Sequence, residues 1–320
     1  MVEIIRSFRA LEHGEQQEEI ACPLCGSTSD RLILKARDLL FGRPGEYRLA
    51  QCLSCNLKYV NPRPTRQALN RHYPDRYYEI SIQDNAPSFI QPFIRAFSDG
   101  ISKRRVAYLE RVIGRIAPET EVLDVGCGTN LLLSYIKRAR GCQGLGLDFN
   151  RMVVQYVRDQ LKMPIVHGTL QTADFQAARF DLVTMMEYLE HEADPRAVLQ
   201  KARLITRMNG HLALELPDSL GLPARILRSL WWNLDLPRHL VFFTPDTLRR
   251  ILDECGFELL TVKRFTLPLY IGLSLGQVFG QRHWAKNWRW VPVLSTLLGA
   301  PFLPFQIALP EFIFAIARAK

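Results

Sequence analysis

The sequence predicts an α/β protein, a doubly wound and mostly parallel sheet preceded by a small N-terminal ribbon, and three observations carry that prediction. From Glu121 onward, strand-like apolar runs alternate with amphipathic helical stretches. Residues 121–130 (Glu-Val-Leu-Asp-Val-Gly-Cys-Gly-Thr-Asn) read as a buried strand breaking into a glycine-rich turn that opens a helix. Ahead of both lie two C-x-x-C knuckles, Cys22/Cys25 and Cys52/Cys55. With 320 residues and 48% hydrophobic content, the chain can bury one substantial core plus a small satellite domain.

Taken in order, residues 1–19 are acidic and polar, without the apolar core of a signal peptide, and are expected to be a flexible tail. The setting expected is cytoplasmic. Each knuckle places two thiolates on one tight turn, so the pair makes a closed tetrahedral site for structural Zn2+ within a ribbon spanning 20–61. Residues 31–34 and 47–50 flank a turn at 42–45, which gives the spacer a hairpin. The other three of the seven cysteines, Cys127, Cys142 and Cys255, sit in core-like contexts. Asn61-Pro62-Arg63-Pro64-Thr65 breaks regular structure, and 62–98 is expected to be linker with substrate-side helices, the first near 65–72. Tyr73, Tyr77 and Tyr78 either wall a substrate site or pack the linker on the domain that follows. An amphipathic basic helix is expected over 98–116.

The domain proper runs from 99 to 320, with an apolar insertion at 266–310. Strands are expected at 121–125, 143–147, 164–167, 180–185, 210–216, 257–265 and 311–319, and helices at 130–140, 150–160, 195–207 and 245–255. The last helix has Thr244 as N-cap, Pro245 at its first position and Gly256 as its stop. Gly126 and Gly128 allow a sharp turn and close approach of a ligand, and Asp148 ends the next strand where a carboxylate can accept from both ribose hydroxyls. A nucleoside-containing cofactor follows. Leu131 stands where a dinucleotide fingerprint has its third glycine, which weakens the pyrophosphate reading.

The turn resembles the first motif of the class I S-adenosylmethionine-dependent methyltransferases, acid-x-Gly-x-Gly-x-Gly, with Asp124, Gly126 and Gly128 matching and Asn130 replacing the third glycine. Phe180-Asp181-Leu182-Val183, Leu189-Glu190-His191 with Asp194-Pro195, Asn209-Gly210-His211, Leu236-Pro237-Arg238-His239-Leu240 and Cys255-Gly256-Phe257 resemble the bacterial small-molecule type with an N-terminal zinc ribbon. The resemblance covers roughly 99–265 and 311–320. It implies a seven-stranded Rossmann-like methyltransferase sheet, its final strand antiparallel, with S-adenosyl-L-methionine as cofactor. Asp124 and the loop of Gly126, Cys127, Gly128 and Asn130 would hold the methionine part, and Asp148, next to Phe149, the ribose. Many relatives carry an acid after the third strand; here the sequence is His167-Gly168-Thr169, so the adenine contact would fall to Thr169 or the backbone. Glu187, at the end of the fourth strand, joins the cofactor set.

Methyl transfer from a sulfonium is an in-line displacement that needs alignment above all, and a base only where the nucleophile carries a proton. The catalytic candidates are His191, Glu190 and His239. Against these roles stand local ones, a helix-start residue ordering its loop for His191 and a structural hydrogen bond for His239. Met185-Met186-Glu187-Tyr188 replaces the Asn-Pro-Pro-aromatic pattern of amino-group methylation, which favours O- or C-methylation of a small, lipid-linked or sugar-type substrate. Trp284, Trp288, Arg282, Lys286 and Arg289 precede an uncharged stretch at 290–310. Residues 281–310 therefore read as a peripheral contact with the inner face of a membrane, or equally as a lid or dimer contact; Pro292, Pro301, Pro304 and Pro310 break any straight span. The net charge of +9 points to an anionic partner and raises a zinc-ribbon RNA methyltransferase as the alternative. Asp30, Asp38 and Glu46 dilute the basic ribbon and make nucleic acid the weaker partner. A non-catalytic binding module on the same fold is the second alternative, and the oligomeric state stays open.

Overall fold

The apolar runs assemble into a seven-stranded sheet, seen in a computed structural model that describes residues 5–10, 16–73, 91–129, 131–278 and 309–320. In chain order, β1 (Ile5–Ala10) pairs antiparallel with β2 (Gln16–Ile20), and β3 (Asp30–Ala36), β4 (Tyr47–Cys52) and β5 (Lys58–Val60) form an antiparallel meander. β6 (Arg63–Pro64) adds to β2, and α1 (Arg66–Asn70) starts where Thr65 accepts from the Ala68 amide. There follow α2 (Gln91–Ile113), β7 (Val122–Val125), α3 (Leu131–Arg140), β8 (Leu145–Asp148), α4 (Arg151–Asp159), β9 (Ile165–His167) and β10 (Phe180–Met186). The chain continues through α5 (Pro195–Ile205), β11 (Thr206–Pro217), α6 (Leu222–Leu227), β12 (Val241–Phe242), α7 (Pro245–Glu254), β13 (Phe257–Phe265), α8 (Pro268–Val278) and β14 (Phe312–Ala319).

The large sheet has the order β13-β14-β11-β10-β7-β8-β9. Neighbours from β11 to β9 are parallel, and β14 alone runs antiparallel, between β11 and β13. All four residues of β7 are buried, as is nearly all of β14, because helices cover both faces and leave no room for an alternating polar face. α7 is capped as its sequence requires, by a reciprocal Thr244–Thr247 box with Pro245 in the first turn. The strand order reverses between β7 and β10, so their following loops diverge and open a crevice at the C-terminal ends.

The four knuckle thiols converge. Cys22 Sγ and Cys55 Sγ are 3.5 Å apart, as are Cys25 Sγ and Cys52 Sγ, and all four lie within 4.8 Å of one another with no disulfide formed. That clustering suits a tetrahedral thiolate site for zinc. The ribbon is also stitched to the larger domain: β12 pairs with β5, Val241 opposite Tyr59, giving a four-stranded sheet β12-β5-β4-β3. Arg238 fastens the same junction. Its Nη1 and Nη2 donate to Asp38 Oδ2 and Oδ1 at 2.8 and 2.9 Å, its Nε donates to Asp235 Oδ2 at 2.9 Å, and Nη1 also reaches the His72 carbonyl at 3.1 Å.

Two expectations need correction. Residues 1–19, read as a flexible tail, supply β1 and β2; Gln17 and Glu18 are buried, and Glu18 Oε1 accepts from Arg63 Nε at 2.7 Å. Acidity suggested solvation, but a buried cation from a distant segment compensates it. The stretch 62–98, read as linker with helices, the first near 65–72, holds α1 at Arg66–Asn70 but also β6, and α2 begins at Gln91 rather than near Ser98.

Burial alone would raise the Asp38 carboxyl, but hydrogen bonds from His72 and Arg238 and the guanidinium charge outweigh it and hold it well below the carboxylate range. A depressed folded-state value stabilises the fold above the unfolded value of about 4, and that stabilisation is lost as pH falls below it. Replacing Arg238→Met removes the cation that balances buried Asp38 and half-buried Asp235 and should cost about 3–5 kcal/mol in urea unfolding at neutral pH. The stability gap between wild type and Asp38→Asn should shrink as pH drops below about 4. Cys52→Ser should lose the ribbon's bound metal by elemental analysis and lower the thermal midpoint.

Candidate active site

The crevice is built on the β7 turn. Gly126 and Gly128 take φ of 67° and 51°, and the amides of Gly126 and Cys127 both donate to the Leu147 carbonyl, tying the turn to β8. A Cβ on Gly126 would stand 2.4 Å from Tyr188 Cδ2, so the tyrosine ring occupies the space glycine leaves. Asp148 Oδ2 accepts from the Gly128 amide at 3.1 Å and Oδ1 from the Asn150 amide at 2.8 Å. Burial pushes the Asp148 carboxyl up, and those two amides pull against it. Each carboxylate oxygen has a further lone pair, so Asp148 could hold a ribose while it orders the turn. Phe149 is 49% exposed beside it, and Tyr73 meets its ring edge-on at 5.8 Å between centroids. Asn130 lies outside the described residues.

Other members of the predicted cofactor set have local duties. Asp124 is buried and accepts from Thr184 Oγ1 at 2.5 Å, which locks β7 to β10; burial raises its carboxyl to about 6 against the pull of Thr184 and Arg105. The Cys127 thiol is buried and pushed up by desolvation, so only its backbone is suited to a ligand. Thr169 and Thr172 bond each other's amides and hydroxyls in a compact turn after β9. Glu187 has a left-handed backbone, φ 54°, secured by its amide on the Glu215 carbonyl at 2.8 Å. Its carboxylate accepts from Tyr270 Oη at 3.1 Å and lies 3.7 Å from Arg105, which also forks onto buried Glu215. Sequence reasoning counted Tyr188 among the polar candidates after the fourth strand but gave Arg105 no role in the site. The basic pattern of α2 was legible, but nothing local says which arginine turns inward.

The three catalytic candidates do meet. Glu190 and His191 sit on a 3₁₀ turn after β10, and His239 comes from the loop just before β12. The Leu240 amide donates to the Glu190 carbonyl at 2.7 Å and clamps the two segments together. The histidine rings are 4.6 Å apart and edge-to-face. His191 Nδ1 is 3.1 Å from the Arg238 carbonyl and 3.3 Å from Tyr73 Oη, while His239 Nδ1 is 2.8 Å from the Asn233 carbonyl. A carbonyl only accepts, so both rings carry their proton on Nδ1 and leave Nε2 basic. Burial and then the neighbouring His239 push His191 down to about 3, and burial lowers His239 as well. Both imidazoles are therefore neutral near pH 7. Glu190 is 1% exposed, neither carboxyl oxygen has a hydrogen-bond partner among the described residues, and burial lifts it well above the ordinary range. Tyr73, the one predicted tyrosine among the described residues, bridges Phe149 on the cofactor side and His191. Tyr77, Tyr78 and the aromatic-basic run at 281–308 lie outside them.

With this geometry in view, the chain matches a family model described as a methyltransferase domain across residues 95–262. The ubiquinone biosynthesis O-methyltransferase of Alkalilimnicola ehrlichii is 29% identical over 118 residues, covering 35% of this chain and 47% of its own length. The ubiquinone biosynthesis O-methyltransferase of Yersinia pestis (strain Pestoides F) is 33% identical over 118 residues, covering 35% and 48%. The chain thus spans about half the length of these curated relatives. Among solved structures, a SAM-dependent methyltransferase from Archaeoglobus fulgidus aligns at a TM-score of 0.47 and 18% identity over 69% of this chain and 94% of that one.

The close fit of Tyr188 against Gly126 is open to direct test. Gly126→Ala should lose roughly 1–2 kcal/mol from the left-handed backbone and a further ~1–3 kcal/mol from displacing the ring, read by urea unfolding. Stability within about 0.5 kcal/mol of wild type would contradict the packing.

Proposed function

This chain belongs to the class I S-adenosylmethionine-dependent methyltransferases, and from that premise we propose that it methylates an oxygen of a small-molecule acceptor. The observation that carries the reading is the meeting of two sets of residues at one end of the sheet. Asp148, Phe149 and the Gly126–Gly128 turn offer an adenosyl site, and Glu190, His191 and His239 form a polar cluster one aromatic ring away. In the reaction the acceptor hydroxyl gives up its proton. An oxygen lone pair forms the bond to the methyl carbon, the carbon–sulfur bond breaks with its pair retained on sulfur, and the sulfonium becomes a neutral thioether. S-adenosylmethionine supplies the activated methyl group. The protein aligns oxygen, carbon and sulfur and receives the negative charge or the proton at the acceptor, which is where the polar cluster lies.

Oxygen is favoured over carbon by the names of the curated relatives, both O-methyltransferases. The Met185-Met186-Glu187-Tyr188 run at the end of β10 argues against an amino nitrogen as acceptor and does not separate oxygen from carbon. A small, lipid-linked or sugar-type acceptor remains the substrate class proposed. Among the described residues no helix is long and apolar enough to cross a membrane. The proposed membrane, lid or dimer role of 281–310 falls almost wholly outside them. Structural zinc in the four-thiol site is part of the proposal and is supported by the clustering of the sulfurs.

Titration calorimetry should show one S-adenosylmethionine site per chain. Asp148→Ala should weaken it by about 1.5–3 kcal/mol, the range for a hydrogen bond to a charged group. Unchanged affinity in a variant with a normal melting curve would remove Asp148 from the cofactor site.

A further inference from the structure

We propose that Glu190, His191 and His239 form a divalent-metal site at the acceptor end of the crevice, distinct from the four-thiol site of the ribbon. One donor atom from each residue lies within 4.8 Å of the others, the spacing of groups that can share one ion. The donor set of one carboxylate and two imidazoles suits a first-row cation such as zinc, manganese or iron(II), whereas the ribbon's four thiolates disfavour the harder manganese.

Three independent features turn this cluster toward a metal. Each histidine is held at Nδ1 by a main-chain carbonyl, Arg238 for His191 and Asn233 for His239. That is the outer hydrogen bond by which proteins orient a metal-binding imidazole and present its Nε2 lone pair. Neither Nε2 is in a hydrogen bond among the described residues. The second feature is Glu190: a carboxyl that is 1% exposed, with both oxygens unpartnered among the described residues, is costly, and a bound cation is a partner suited to such a group. The third is rigidity. The Leu240–Glu190 bond joins the two ligand-bearing segments, and Arg238, next to His239, is pinned by Asp38 and Asp235. A preformed site loses little ordering entropy when it binds.

Three protein ligands leave coordination positions open, and an acceptor oxygen entering one of them would have its hydroxyl pKa lowered and its lone pair held beside the methyl donor. That purpose rests on the methyltransferase reading above; binding of the ion does not. A general base at His191 Nε2 needs that nitrogen free, so the two roles exclude each other while the ion is bound.

The test uses the full chain in equilibrium dialysis against micromolar zinc, with bound metal measured by elemental analysis. Wild type should hold two zinc ions per chain, Glu190→Gln and His239→Gln one each, and Cys52→Ser one. One ion in wild type, or two in both Glu190→Gln and His239→Gln, overturns the site. Because those variants touch buried positions, a second measurement uses wild type alone. Manganese(II) added to protein with a zinc-loaded ribbon should give pulsed-EPR modulation from directly bound histidine nitrogen, and its absence overturns the proposal. Calorimetry with S-adenosylmethionine on the same samples separates the two readings. Cofactor binding without the second metal defeats only the metal site, and the second metal without cofactor binding defeats only the proposed function.

Discussion

Arg238 is the residue on which the arrangement of this protein most depends. Its guanidinium bonds Asp38 from the ribbon and Asp235 from its own loop and lies over the Phe41 ring, and it reaches the carbonyl of His72 where the chain leaves the ribbon. Its backbone carbonyl receives His191. One side chain therefore joins three segments far apart in sequence, while its main chain sets the orientation of a candidate functional ring. The planar fork matters: a lysine presents a point charge and could not bond two carboxylates and a carbonyl in fixed directions. A buried ion pair of this kind is weak evidence for stability but good evidence for position, because its geometry admits few alternatives.

A second set of buried charges does comparable work under the sheet. Arg105 from α2 forks onto Glu215 of β11 and approaches Glu187, whose left-handed backbone is secured by the Glu215 carbonyl. Asp124 and Thr184 join the neighbouring strands β7 and β10. β7, β10 and β11 are thus cross-braced at and beside the point where the strand order reverses. Glu187 keeps a strained conformation there because its neighbours over-determine it.

The parts of this structure that were legible in the sequence are those with local causes. The expected strands and helices of the large domain match within a few residues, since each combines a regular apolar period with caps such as Asn150, Asp194 and Thr244. The antiparallel insertion of β14 followed from family resemblance, not from periodicity. What stayed hidden is long-range. The pairing of β2 with β6, the addition of β12 to the ribbon's sheet and the inward turn of Arg105 depend on partners dozens to hundreds of residues away. The site shows the same division. Motifs singled out Asp148, Gly126, Glu190, His191 and His239 as candidates, but not that Tyr73 connects the two groups or that Tyr188 fills the space above Gly126. Glu187 and Asp124 were assigned to the cofactor from motif position, and their observed bonds are to protein.

The ribbon's contacts argue for a buttress rather than a separate reader of some partner. Lys58 donates to the Ser219 carbonyl, Arg196 to Leu24 and Arg228 to Ile33, so main-chain carbonyls on both sides of the junction are used by side chains from across it. Tyr47 and Tyr59 are fully buried in a core cluster that also holds Phe242, Phe243 and Leu248 of the larger domain. Ribbon cations with exposed heads are partly spoken for, Arg31 by Gln51 and Lys35 by Glu46. Because β12 belongs at once to the ribbon's sheet and to the segment that carries His239, loosening the thiol cluster would propagate through β5 into that histidine. A free-standing nucleic-acid module would need no such coupling. Here the ribbon's sheet includes the strand that follows His239, which gives the larger domain a physical reason to keep it.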